Sequence, residues 1–241
     1  MTAAEVEASL ATLGLSDGEP DHRVVEATLV AAGWTRCGAG DWAIALRSPD
    51  GSAAARVSPF DPTGPYSAAL YREAGPTGQV PRLFAHRRLT GGGDLQVMEW
   101  LRPVPEDDAV AFHHAIGTRA TGVEELVDVM RRVHARAVRE LPWCGPLDTN
   151  PANIMRAADG HLVVTDVYYA DGPGLYTVAA QDPDLVVARI PECRRRFMTE
   201  IPLAGSGPWE PGAREAMRGG LAAADARASA RRERHGQRPD R

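Results

Sequence analysis

The apolar pattern of this sequence changes period at Pro103. Before it, short runs rich in β-branched and aromatic residues are separated by turn residues; after it, apolar side chains recur every three to four positions. Segregating strands into one half and helices into the other limits the chain to an α+β arrangement, with a small antiparallel sheet and a mostly helical remainder.

Within the first half, "DWAIALRSPDGSAAARVSPF" contains two strand-like runs joined by Pro49-Asp50-Gly51, so residues 41–59 are predicted to form a hairpin. "PRLFAHRRL" and "DLQVMEWL", separated by glycines 91–93, predict a second antiparallel pair. Between them "TGPYSAALYREAG" reads as a short helix stopped by Gly75-Pro76. Upstream, "EPDHRVVEATLVAAGW" predicts a helix with Val25, Leu29 and Val30 on one side and Gly33 as its stop.

After Pro103, "PEDDAVAFHHAI" is a short helical candidate. "GVEELVDVMRRVHARAVREL" is a long one, with Val123, Leu126, Val127, Met130, Val133 and Ala137 near a 3.6 period and Pro142 at its end. A last hairpin, turned at Asp159-Gly160, precedes a helix-and-loop remainder. The expected division is a weakly helical extension (1–20), a sheet lobe (21–101), a helical lobe (102–222) and an Arg-rich tail (223–241). The tail lacks bulky apolar residues and is expected to fray.

All 27 basic residues are arginine, which excludes any chemistry requiring a lysine amine, including a Schiff base. A net charge of -5 argues against a nucleic-acid partner despite the basic run "PECRRRFM". Cys37, Cys144 and Cys193 are widely spaced, which fits neither a disulfide framework nor a zinc knuckle. No apolar run approaches the ~20 residues of a membrane span, and no secretory leader pattern opens the sequence, so a cytoplasmic location without a membrane partner is expected.

The chemistry concentrates in "PLDTNPANIMRAADGHLVVTDVYY", residues 146–169. Its hairpin has an apolar body (Ile154, Met155, Leu162, Val163 and Val164) and polar ends. Asn153 and Asp166 therefore fall at neighbouring strand ends, where an amide and a carboxylate offer oxygens to a hard cation such as Mg²⁺. Asp148, in the loop entering the hairpin, stands at the edge of that site, where it can orient or deprotonate an attacking hydroxyl.

Asp148-x-x-Pro151-x-Asn153-Ile154, followed by an apolar strand ending in Asp166, resembles the catalytic loop and metal-binding aspartate of the protein-kinase-like superfamily, which includes small-molecule kinases of the aminoglycoside phosphotransferase type. The similarity extends over residues 30–170 in the family's order. "RCGAGDWAIAL", with Gly38 and Gly40, takes the place of the glycine-rich loop. "AAARV" takes that of the strand bearing the nucleotide-binding lysine, Glu73 that of the helix acid pairing with it, and "LQVMEWL" that of the hinge, where the backbone around Glu99 and Leu101 would meet adenine.

The resemblance implies a compact, two-lobed kinase-like fold. It implies ATP and Mg²⁺ as cofactors, Asp148 as catalytic residue, Asn153 and Asp166 as metal ligands, and Gly38, Gly40, Arg56, Glu73, Glu99 and Leu101 around the nucleotide. The expected activity is transfer of the γ-phosphoryl group to a hydroxyl of a small molecule or protein.

Several positions depart from the family pattern. Arg56 replaces the lysine, Pro146 and Leu147 precede Asp148 where a histidine is usual, and Asn150 stands where a cation is often found. Asp166 is followed by Val167-Tyr168, and no Ala-Pro-Glu stretch follows. These departures motivate a second reading, a pseudokinase-like binding module that keeps the fold without efficient transfer. A metal-dependent hydrolase ranks third, for want of a histidine cluster. Outside the motif, His113, His114 and His134 are expected in packing or surface roles. Tyr168, Tyr169, Tyr176, Glu200 and Trp209 either line an acceptor site or pack the C-terminal region.

Overall fold

The computed structural model describes residues 2–15 and 20–236. Helices α1 (Ala3–Thr12) and α2 (His22–Ala31) lead into strands β1 (Thr35–Ala39), β2 (Ile44–Arg47) and β3 (Ala53–Ser58); helix α3 (Gly64–Glu73) then crosses to β4 (Leu83–Arg88) and β5 (Asp94–Glu99). The five strands pair antiparallel in the order β1-β2-β3-β5-β4. This is the sheet with one inserted helix that the turn signals predict.

The first hairpin is turned by Asp50, whose carboxylate accepts hydrogen bonds from Ser48 Oγ (2.6 Å), Ser52 Oγ (2.7 Å) and Ser52 N–H (3.1 Å). These donors stabilise the ionised carboxyl and lower its pKa to about 2. Gly51 completes the turn at φ +74°, a conformation that favours glycine.

Strand alternation gives the sheet two different faces. Ala53, Ala55 and Val57 of β3 join Leu46, Leu95 and Val97 in a core roofed by Val25 and Leu29 of α2 and by Val6 and Leu10 of α1. The intervening residues Ala54 and Arg56 point to the opposite face. Val30 does not join Val25 and Leu29 as the sequence pattern suggests: it is 48% exposed, because the helix is buried along a narrower stripe.

The helical half follows with α4 (Glu106–Thr118) and α5 (Glu124–Glu140). Every apolar position predicted for α5 is buried, packed on Tyr66, Leu70 and Tyr71 of α3 and on Ile154 and Val164. A small sheet of β6 (Arg102–Pro103), β7 (Ile154–Arg156) and β8 (Leu162–Val164) carries the second hairpin. This two-lobed α+β layout is the fold class expected from the sequence.

The chain closes with α6 (Gly172–Gln181), α7 (Pro183–Arg189) and α8 (Ala213–Gly236). Leu175, Val186, Met198, Ile201, Met217 and Leu221 form a third apolar cluster that encloses Phe60, just past β3, with Trp42 packed alongside. Composition suggests fraying beyond residue 223, yet α8 runs helical to Gly236. Buried Leu221 and Ala224 and the pairing of Arg227 and Arg231 with Asp184 of α7 hold it there. Residues 237–241 lie outside the described residues. Among the described residues no helix is long and apolar enough to cross a membrane.

Candidate active site

A cleft of about 960 Å³ opens between the β1–β3 face and the β7–β8 hairpin. Gly38, Gly40, Arg56, Glu99, Leu101, Asp148, Asn153 and Asp166 all line it. Eight of the nine positions singled out in the sequence therefore share one cavity.

The loop before the hairpin is built around Asp148. Its Oδ1 accepts the Asn150 N–H (2.9 Å) and its Oδ2 accepts Asn153 Nδ2 (3.0 Å). Asn150 Oδ1 in turn accepts the Ala152 N–H (3.0 Å), capping the short 3₁₀ turn over Pro151–Asn153. Asn153 Nδ2 also donates to the Asp166 carbonyl (3.3 Å), tying the loop to the end of β8. Asp166 itself sits at φ +43°, a left-handed conformation that costs energy for a non-glycine residue and recurs at functional sites. Besides the Asn153 contact, its N–H donates to Tyr71 Oη (3.3 Å).

No histidine precedes Asp148, and a backbone ladder does the bracing. Asp148 N–H donates to Val167 O (2.9 Å), Gly145 N–H to Tyr169 O (2.9 Å) and Asp171 N–H to Trp143 O (2.8 Å). His134 contributes from α5, its Nε2 2.9 Å from the Gly145 carbonyl and its ring stacked on Tyr168. Tyr168 donates its hydroxyl to Met130 O of the same helix (2.9 Å).

Arg56 crosses from β3 to this loop. Nη1 is 2.6 Å from Asp61 Oδ2, and Nε is 3.4 Å from Asp166 Oδ1. Burial opposes its charge, but the carboxylates of Asp166 and Asp61 outweigh that and hold the guanidinium pKa above its usual value. Burial likewise opposes the ionised Asp61, and Arg56 reverses it, keeping Asp61 below the usual carboxylate range. Tyr71 is pushed up by burial and then by Asp166, so its hydroxyl stays protonated.

Glu73 corrects the sequence reading. It does not pair with Arg56 and does not line the cleft; at the last residue of α3 it is held by Arg132 (2.8 Å) and Arg136 (3.8 Å), one turn apart on α5. Besides Asp166, the acid that pairs with Arg56 is Asp61, which the sequence reading missed. The signal was present: an aspartate shortly before a helix with proline in its first turn is a capping pattern. Glu99 lines the cleft at the end of β5 as a buried acid. It is 4% exposed, with its carboxylate accepting the Arg82 N–H (2.8 Å) and its own N–H donating to Arg82 O (3.0 Å).

Gly38 and Gly40 border the cleft with open space where a Cβ would lie, and neither has a positive φ. Neither backbone conformation nor neighbouring atoms therefore demand glycine there. Next to them, Asp41 reaches across to the segment before α8. Its Oδ1 accepts the Gly205 N–H (2.6 Å) and Ser206 N–H (2.9 Å), and the Ser206 hydroxyl donates to Oδ2. Burial works against the ionised form, but these donors hold Asp41 below its ordinary pKa. Replacing Asp41 with alanine is expected to speed amide exchange at Gly205 and Ser206 by about tenfold, from the loss of a charged acceptor. Unchanged protection in exchange mass spectrometry would show that the clasp does not hold this segment.

The proposed acceptor aromatics separate. Tyr169 lines the cleft, whereas Tyr176 packs against Trp209 and Trp42 in the C-terminal cluster. Glu200 is engaged by Arg23 (2.6 Å) and Arg218 (3.3 Å).

The chain matches no protein-family model and no curated protein. Among solved structures it is similar to the PknI kinase domain of Mycobacterium tuberculosis, with 16% identity over 81% of this chain and 96% of that one, at a TM-score of 0.30. WbdD, described as a bifunctional kinase-methyltransferase, shares 12% identity over 80% of this chain and 45% of its own, with a TM-score of 0.31. Macrolide 2'-phosphotransferase MphH from Brachybacterium faecium shares 16% over 90% of this chain and 99% of its own, with a TM-score of 0.32. Identities and superpositions at this level say nothing of activity.

Proposed function

We propose that the protein is a kinase-like phosphotransferase that moves the γ-phosphoryl group of ATP, with Mg²⁺, to a hydroxyl of a small molecule or protein. The observation that carries this reading is the Asn153 amide, which joins the Asp148 carboxylate to the backbone of Asp166 within one cleft that Arg56 also enters.

The residues fit the metal. Among the described residues no group of three or more His, Cys, Asp or Glu is placed to hold an ion. Asn153 and Asp166 instead offer an amide oxygen and a carboxylate, the small protein share suited to a Mg²⁺ that keeps water and takes phosphate oxygens as well. When bound there, Mg²⁺ would neutralise charge on the β and γ phosphates.

The chain's own groups supply the rest. Each Asp148 oxygen has spare lone-pair capacity beside its one local hydrogen bond, so the carboxylate can orient the acceptor hydroxyl and take its proton as the new O–P bond forms. With Nη1 and Nε of Arg56 facing carboxylates, its Nη2 would reach a phosphate oxygen. Open space at Gly38 and Gly40 admits a phosphate chain close to the backbone. The backbone around Glu99 and Leu101 would take the adenine edge, with residues 21–101 as the nucleotide lobe and 102–222 as the catalytic one.

The test is thermal: Mg-ATP should raise the melting temperature of the wild type, and Asp166→Ala should abolish the rise. No shift in the wild type would sink the proposal. The pseudokinase-like reading draws on one specific observation, that two of the three Arg56 nitrogens already face carboxylates. Single-turnover transfer of labelled phosphate from ATP to a metabolite or lysate pool, lost on substitution of Asp148, separates the two.

A further inference from the structure

We infer that Asp61, in the loop following β3, is the positioning residue for Arg56, and that Glu73, at the far end of helix α3, has no part in setting this cation. The inference rests on the phosphotransferase reading and concerns how its phosphate-binding arginine is held.

Asp61 is fixed on every side. Its N–H donates to Gly92 O (3.0 Å), and its carbonyl accepts Arg88 Nη1 (2.6 Å). Oδ1 accepts the Thr63 N–H (2.9 Å), the Thr63 hydroxyl (2.8 Å) and the Gly64 N–H (2.8 Å), which leaves Oδ2 for Arg56. The residue is 3% exposed. A buried carboxylate held by this many donors has one orientation available, and it imposes that orientation on the guanidinium it pairs with.

The acid also travels with the cation. Asp61 lies five residues beyond Arg56 on the same strand-and-loop unit, and it caps the start of α3 through Gly64. Glu73, at the other end of α3, is bound to α5. Glu73 contacts α5 and not Arg56, so the Arg56–Asp61 pair is set without it, before any ligand arrives.

The same geometry accounts for arginine in place of lysine. Nη1 serves Asp61 and Nε faces Asp166, while Nη2 has no acceptor among the described residues and is left for a phosphate oxygen. A single ammonium offers no such separated edges.

The experiment measures binding of Mg-ATP and of adenosine to the full chain by calorimetry, for the wild type, Asp61→Asn, Asp61→Glu and Glu73→Gln. Asparagine at 61 keeps an oxygen for the Thr63 and Gly64 amides, and circular dichroism and melting verify that the variant folds. Asp61→Asn should weaken Mg-ATP by about 10- to 100-fold and leave adenosine within about twofold, since a charged hydrogen-bond partner of the phosphate-binding group is lost. Asp61→Glu should recover part of the loss, and Glu73→Gln should match the wild type for both ligands.

Equal weakening of adenosine and Mg-ATP by Asp61→Asn would reveal a merely structural role and overturn the inference. So would a Glu73→Gln loss as large as that of Asp61→Asn. A wild type that binds adenosine but gains nothing from the phosphates and Mg²⁺ would instead overturn the phosphotransferase reading, and this inference with it.

Discussion

Replacing Arg56 with methionine is expected to destabilise the fold by about 3–5 kcal/mol, the range for removing one partner of a buried ion pair. The loss comes from what stays behind: Asp61, 3% exposed and held by Thr63 and Gly64, keeps its charge without the cation paired to its carboxylate. The double variant Arg56→Met/Asp61→Asn should recover much of the loss, and urea midpoints measure both.

Acid separates the variants further. In the wild type the folded Asp61 pKa lies below its unfolded value, so the unfolded chain takes the proton first. The pair's contribution is therefore complete above the ordinary carboxylate pKa, about 3.9, and is lost as pH falls through the folded value. In Arg56→Met the main opposition to burial is gone, with Thr63 and Arg88 left to favour the charge, and the Asp61 pKa rises from its wild-type position. Protonation then relieves the buried charge, and the deficit relative to the wild type should shrink on acidification. A deficit that grows as pH falls would contradict this account of the pair.

Asp148→Asn is expected to cut phosphoryl transfer by about 10²–10⁴-fold, the usual contribution of a positioned general base. Mg-ATP affinity should change little, because the proposed role of Asp148 is toward the acceptor rather than the nucleotide. The substitution keeps the side-chain shape but pits two amides against each other, since Asn153 Nδ2 now donates to Asp148 Oδ2. A stability cost of about 1 kcal/mol follows from that one hydrogen bond. Single-turnover transfer and nucleotide binding, measured on the same preparation, distinguish the effects. Loss of binding in parallel with transfer would mean that Asp148 acts by supporting Asn153 and not by handling a proton.

The sheet, its inserted helix, α5 and the β7–β8 hairpin were legible because short-range signals specify them: Pro49-Asp50-Gly51, the glycines before β5, the 3.6 period of α5 and Asp159-Gly160. Asp148, Asn153 and Asp166 were legible for a related reason, as two strands and one loop bring them together with no long-range information required. Partners chosen at a distance were not legible. The acid for Arg56 depended on how the loop after β3 folds back, and family order pointed to Glu73, which α5 claims with two arginines. His134 reaches the backbone leading into Asp148 from a helix where only its packing could be foreseen. Asp41 reads in sequence as an ordinary turn residue, because its donors lie more than 160 positions away.

Phe60 and Trp42, made early in the chain, are covered by side chains from residues 175 to 221. During synthesis these two aromatic side chains must therefore wait uncovered until the last helices emerge, and contacts of such long sequence separation slow the final step of folding. An excised sheet lobe would carry both aromatic side chains exposed permanently, so this half of the molecule is expected to aggregate when expressed alone.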